Sequence, residues 1–149
     1  MKITKYEHSC LDITEGRTRL VIDPGVFSKT VGDITLEFFG KDHALIDQSV
    51  PIAQNVGALV NAKFYTPGDS WTECPKPHEW LGMPSHAPWA KHVDVMDFLR
   101  QSQAKNLFPM HNGFLNDNGL ALYERLLSGG ADLTGKTFKY LAPGKSLEI

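Results

Sequence analysis

Residues 57–70 decide the fold, and they read GALVNAKFYTPGDS. The stretch is largely apolar and is interrupted at Asn61-Ala62, which predicts two strands joined by a tight hairpin turn. Pro67-Gly68 ends the second strand, because Pro and Gly are the strongest local breakers of regular structure. Asp69 follows directly, so an acidic side chain is expected at the end of a strand, where loops collect functional groups.

The sequence before this stretch predicts further strands. Residues 2–11 alternate in polarity, and a turn at Glu15-Gly16 leads into an apolar strand at 18–22. Another strand is expected at 34–39, after Gly32-Asp33. Strands therefore dominate the first part of the chain.

After residue 70 the pattern changes. A Pro-rich and Trp-rich loop is expected at 71–89, with a short buried segment at 80–83. Apolar residues then recur every three and four positions, which predicts helices. The expected elements are a helix to about residue 103, a strand at 106–110, a helix capped by Asn116 or Asp117 and stopped by Ser128-Gly129-Gly130, and a closing pair of strands, 138–141 and 146–149.

This order predicts one layered α/β or α+β domain over residues 1–149, with two mainly antiparallel sheets and the two C-terminal helices packed outside. The composition is that of a globular protein, with 42% hydrophobic and 21% charged residues. A net charge of −2 argues against a nucleic-acid surface. No apolar segment has the length of a membrane span, and no signal peptide is evident, so a cytoplasmic protein is expected.

Three potential metal ligands occupy equivalent places in the predicted fold. His43, Asp69 and His111 each follow the end of a strand. Imidazole and carboxylate groups suit zinc, manganese or iron. The alternative for each residue is a purely local role, such as an Asx-turn at Asp69. Spacing alone does not decide between these interpretations.

A wider pattern bears on this choice. The segment 2–11, followed by TRLVIDPG at 18–25, resembles the opening of metallo-β-lactamase-fold hydrolases, and most closely their lactonase-like bacterial branch. The resemblance resumes at 32–36 and continues to the C-terminus. It implies an αββα sandwich and the hydrolysis of a small ester, lactone or phosphodiester substrate.

The resemblance also implies roles for individual residues. Asp23 would brace the metal-ligand loop from behind, and His43 and His111 would each bind a different metal ion. Asp69 would bridge the two ions and would be the catalytic carboxylate. His86 and Trp89, in the loop that lines the active-site mouth in the family, and Trp71 are expected at the pocket rim. The alternative is that these three residues are loop anchors or core fillers.

The chain departs from the family at its hallmark, the motif His-x-His-x-Asp-His. No His-x-His occurs in the sequence, which passes from Phe27-Ser28-Lys29 into Thr30-Val31-Gly32. A strand–helix segment after residue 28 is therefore expected to be missing, and a pair of ions would lack ligands. We expect at most one weakly held ion, or none.

Two functional hypotheses follow from this departure. One is a metal-dependent hydrolase that is impaired or inactive in this shortened form. The other is a non-catalytic binding or interaction module that forms a homodimer through the surface that the deletion uncovers.

Overall fold

The computed structural model describes residues 1–6, 11–22 and 34–149. Ten strands and two helices are present in these residues. They are β1 (Lys2–Lys5), β2 (Leu11–Glu15), β3 (Thr18–Ile22), β4 (Leu36–Phe39), β5 (Gly57–Val60), β6 (Phe64–Thr66), β7 (Trp80–Pro84), α1 (His92–Gln101), β8 (Asn106–Met110), α2 (Asp117–Leu133), β9 (Thr137–Phe138) and β10 (Ser146–Glu148).

The first sheet has four strands in the order β10-β1-β2-β3, and all its pairs are antiparallel. β2 and β3 form the predicted hairpin, in which Gly16 takes a positive φ of 56°. A residue without a Cβ adopts this conformation at little cost, which explains the Gly at the turn.

The second sheet has six strands in the order β4-β5-β6-β7-β8-β9. Its first three strands are antiparallel, and the turn between β5 and β6 has positive φ at both Asn61 and Ala62, as a tight hairpin turn requires. From β6 to β9 the strands are parallel. The prediction of two mainly antiparallel sheets is thus wrong for this half, because α1 and α2 act as crossovers that return the chain to the same end of the sheet.

The two sheets share an apolar core, and the helices cover the opposite face of the six-stranded sheet. Successive side chains of β5 point to opposite faces of the sheet: Val60 packs between the two sheets, whereas Leu59 packs toward the helices. The layered α/β prediction is therefore confirmed. In the described ranges, helices cover only one of the two sheets, and neither helix is long and apolar enough to cross a membrane.

Two predicted element boundaries are wrong. α2 continues through Ser128-Gly129-Gly130 to Leu133, since Gly130 lets α1 approach closely: a Cβ there would lie 2.2 Å from Met96 Cε. The predicted closing pair of strands also does not exist as a pair. β9 extends the six-stranded sheet beside β8, whereas β10 pairs with β1 in the other sheet.

Candidate metal centre

Five strands of the six-stranded sheet end at one edge, and four of them, β4, β6, β7 and β8, precede candidate residues. β6, β7 and β8 are parallel, and β4 runs in the same direction because both β4 and β6 are antiparallel to β5. The residues that follow these four ends include His43, Asp69, His86 and His111. Edges formed by parallel strand ends commonly hold functional groups.

The side chains of His43, Asp69 and His111 lie close together. The Asp69 carboxylate lies between two imidazoles: its Oδ1 is 3.1 Å from His111 Nδ1, and its Oδ2 is 3.9 Å from His43 Nε2. The side chain of His111 is 4% exposed and that of His43 is 16% exposed, whereas that of Asp69 is 36% exposed. Each imidazole thus faces a different oxygen of one carboxylate that is open to solvent.

His43 is held by the loop that carries it. Its backbone N–H donates to the Ala53 carbonyl, and the next residue, Ala44, donates its N–H to the carbonyl of Asp69. The His43 Nδ1 lies 2.5 Å from the Ala44 carbonyl, so Nδ1 is the nitrogen that carries hydrogen. In the neutral imidazole this leaves the lone pair on Nε2, which faces Asp69 and is suited to bind a metal ion.

Asn55 is a positioning residue that the sequence analysis missed. Its Oδ1 accepts a hydrogen bond from the Asp69 N–H at 2.8 Å, and its Nδ2 donates to the Pro67 carbonyl at 2.8 Å. Gly68, between these two partners, has a φ of +66°, and a Cβ there would lie 2.4 Å from the same amide oxygen. Asn55 precedes Asp69 by 14 residues, and no sequence motif links the two.

His111 has an unusual backbone conformation. Its φ is +61°, in the left-handed region that few residues other than glycine occupy. Such a conformation costs free energy and persists where surrounding contacts fix it, often at functional sites. The neighbouring Asn112 is buried, and its Oδ1 accepts a hydrogen bond of 2.7 Å from Lys5 Nζ in β1. The four-stranded sheet thus supports the loop of His111 through this contact from β1.

The three residues expected at the pocket rim lie in different surroundings. Trp89 is buried behind the two imidazoles, with ring centroids 5.7 Å from His43 and 6.2 Å from His111. Trp71 packs on Trp89 at 4.9 Å as a partly buried core residue. The His86 Nδ1 lies 3.3 Å from the Tyr123 hydroxyl. The fourth expected auxiliary residue, Asp23, falls outside the described residues.

The donor geometry tests whether a metal ion fits. Zinc–ligand bonds of about 2.0–2.2 Å place two ligands of one tetrahedral ion roughly 3.4 Å apart. The 3.9 Å separation of His43 Nε2 and Asp69 Oδ2 is near this value, but His111 faces the other carboxylate oxygen. In the described part of the chain, no three His, Cys, Asp or Glu residues are arranged to hold one ion. Each side of the Asp69 carboxylate therefore offers an ion two protein ligands, one carboxylate oxygen and one imidazole. A complete catalytic zinc centre needs about three protein ligands.

Comparisons with known proteins agree with this fold. No family model matches the chain. The chain is similar to Protein Rv0786c of Mycobacterium tuberculosis, with 23% identity over 189 residues, covering 83% of this chain and 89% of the relative. A solved structure, that of Igni18, described as a novel metallo hydrolase from the archaeon Ignicoccus hospitalis, superposes with a TM-score of 0.62 and 11% identity over 99% of this chain and 98% of that one. The chain therefore has a metallo-hydrolase-like fold.

Proposed function

We propose that this chain is a metal-dependent hydrolase of the metallo-β-lactamase type whose metal centre is reduced to His43, Asp69 and His111. Its substrates are esters, lactones or phosphodiesters, and its activity is low or absent unless further ligands are supplied. The observation that carries the proposal is the Asp69 carboxylate between two imidazoles at one sheet edge. The likeness to the fold of Igni18 supports it. A bound ion would supply a hydroxide from water at neutral pH.

The loss of a segment is part of this proposal. The alignment with the mycobacterial relative extends over 189 residues, which exceeds the 149 residues of this chain. Gaps in this chain therefore stand opposite residues of the relative, as expected if a strand–helix segment after residue 28 is missing. Such a loss explains why only half of a ligand set surrounds Asp69.

Metal analysis of the purified protein tests the proposal. We expect one equivalent or less of zinc, manganese or iron per chain, which dialysis against a chelator removes. Adding zinc back should raise the unfolding temperature, because an ion that binds only the folded state stabilises it, by about 2.7 kcal/mol at a concentration of 100 times Kd. Asp69→Asn should abolish this shift. The matched control is Asp97→Asn, at an exposed carboxylate on α1. An equal zinc shift in both variants would reject the proposal.

A second candidate function is an interaction module, and one observation favours it. Residues 45–52, in the loop between β4 and β5, expose four large apolar side chains, which we call the apolar tip: Leu45, Ile46, Val50 and Ile52. Exposed apolar residues grouped in this way mark contact surfaces, and a symmetric homodimer is the commonest way to cover them.

The oligomeric state tests this candidate. Light scattering coupled to gel filtration should show a dimer that Ile52→Asp converts to a monomer. Val93→Asp, at a similarly exposed valine on α1, should leave the dimer intact. A protein that is already a monomer at high concentration would remove this candidate.

A further inference from the structure

A cavity opens beside the reactive cluster, between the two sheets. Its volume is about 160 Å³, and Asp69 and His111 form one end. The rest of the wall comes from the ends of four segments and is mostly apolar or small; it consists of Ile22, Asn55, Val56, Ala58, Thr66, Gly68 and Met110. The cavity is therefore continuous with the site and not a separate void in the core.

The polar groups of this wall already have partners. Asn55 uses both its amide oxygen and its amide nitrogen to hold the loop of Asp69. The Thr66 hydroxyl contacts the Met110 sulfur and accepts from the Gly68 N–H. Among the described residues, the lining includes one carboxylate and no Lys or Arg. In the described lining a negatively charged phosphate group would meet the Asp69 carboxylate and no Lys or Arg, whereas an uncharged group would bring no charge that must be paired.

The size of the cavity limits what it can hold. An engineered apolar cavity of about 150 Å³ in another protein binds benzene, so the space here suits a group of about six heavy atoms. Ala58, at the wall, faces the space between the sheets, as Val60 does on the same strand. A short acyl chain that extends from Asp69 toward Ala58 and Met110 would fill the space.

We propose that this cavity is the acyl-binding subsite, and that the substrate is an uncharged ester or lactone with a short apolar acyl group. This inference rests on the proposed hydrolase function. In the reaction, water adds to the acyl carbon, the bond between that carbon and the alcohol oxygen breaks, and the products are a carboxylic acid and an alcohol.

Binding of uncharged amides tests the subsite without any turnover. Chelator-treated protein would be titrated with acetamide, butyramide, hexanamide and decanamide, and amide chemical shifts would be followed by NMR. Affinity should rise by up to about fourfold for each buried methylene and should stop rising beyond hexanamide, once the cavity is full. Diethyl phosphate should bind more weakly than butyramide. A stronger affinity for the phosphate would overturn the proposal.

Variants that fill the cavity sharpen the test. Ala58→Leu should weaken butyramide binding at least tenfold, whereas Ala121→Leu, on the exposed face of α2, should not. Should Ala58→Leu fail to fold, Val56→Phe at the exposed mouth has the same expected effect, with Val93→Phe as its control. Unchanged butyramide affinity in a folded cavity-filling variant would reject the subsite.

The subsite and the hydrolase function can fail separately. Butyramide binding by a protein whose unfolding temperature does not respond to zinc would count against the metal-dependent hydrolase and leave the subsite in place. Turnover that depends neither on acyl length nor on Ala58→Leu would keep the hydrolase and remove the subsite.

Discussion

The two sheets of the protein contribute differently to the site. The six-stranded sheet carries His43, Asp69 and His111 at one edge and is covered by α1 and α2. The four-stranded sheet supplies no side chain to this cluster from its described residues, but it closes the cavity with Ile22 and supports the loop of His111 through Lys5. The six-stranded sheet therefore carries the candidate ligands, and the four-stranded sheet helps to hold the loop of His111 in position.

The largest expected effect comes from the link between the sheets. The Lys5 side chain is fully buried, and its Nζ donates to the Pro109 carbonyl at 3.0 Å and to Asn112 Oδ1 at 2.7 Å. Lys5→Met should lower the free energy of unfolding by about 3 kcal/mol, because two buried acceptors lose a charged donor. Urea unfolding measures this loss. Lys2→Met, at an exposed position of the same strand, should change stability little, and equal losses in both variants would contradict a supporting role for Lys5.

A smaller effect is expected within the six-stranded sheet. Asn55→Ala removes both hydrogen bonds that hold the loop of Asp69, so the free energy of unfolding should fall by about 1–2 kcal/mol. The neighbouring Gln54→Ala, at an exposed side chain, serves as the control in the same urea experiment. If the two variants were equally stable, Asn55 would not position the loop.

Two adjacent glycines in α2 allow a test of how closely α1 and α2 pack. A Cβ at Gly129 meets nothing within 4 Å, so Gly129→Ala should stabilise the protein by about 0.8 kcal/mol through helix propensity. A Cβ at Gly130 would lie 2.2 Å from Met96 Cε and 3.1 Å from Leu99 Cδ2. Gly130→Ala should therefore be about 1 kcal/mol less stable than Gly129→Ala in thermal unfolding. Identical melting temperatures would show that α1 and α2 pack loosely.

The smallest expected effect is a pH dependence on the helix side of the sheet. Burial removes water from the His78 imidazole and lowers its pKa below 6.5, despite the hydrogen bond between Nδ1 and the Lys76 carbonyl. The unfolded chain then binds a proton more readily than the folded one. The contribution of His78 to the free energy of unfolding is therefore fully present above about pH 6.5 and is lost as the pH decreases.

His78→Gln tests this dependence. Its free energy of unfolding should decline less steeply than that of the original protein between pH 7 and pH 5, and the slopes should agree above pH 7. Denaturant titrations across this range provide the measurement. Parallel curves at all pH values would show that His78 does not contribute to acid sensitivity.

Local sequence patterns predicted most of the elements. The strand at Asn106–Met110 was predicted to the residue, and Asn116 caps α2 by accepting from the Gly119 N–H, as expected. The end of α2 was predicted too early, because Gly129-Gly130 is typical of a helix stop and only packing against Met96 reveals why Gly130 lies inside the helix. Strand direction was also mispredicted, although β7 and β8 are short, largely apolar runs buried on both faces, a pattern typical of parallel strands.

The sequence by itself determined the order of strands and helices, the layered fold class and the placement of His43, Asp69 and His111 after strand ends. These features depend on periodicity and on Pro and Gly, which act over a few residues. Only the tertiary structure decided that the three side chains meet, that Asn55 and Lys5 hold them, that Trp89 lies behind them, and that a cavity adjoins Asp69. Each of these contacts joins residues far apart in the chain, and the packing of the two sheets brings them together.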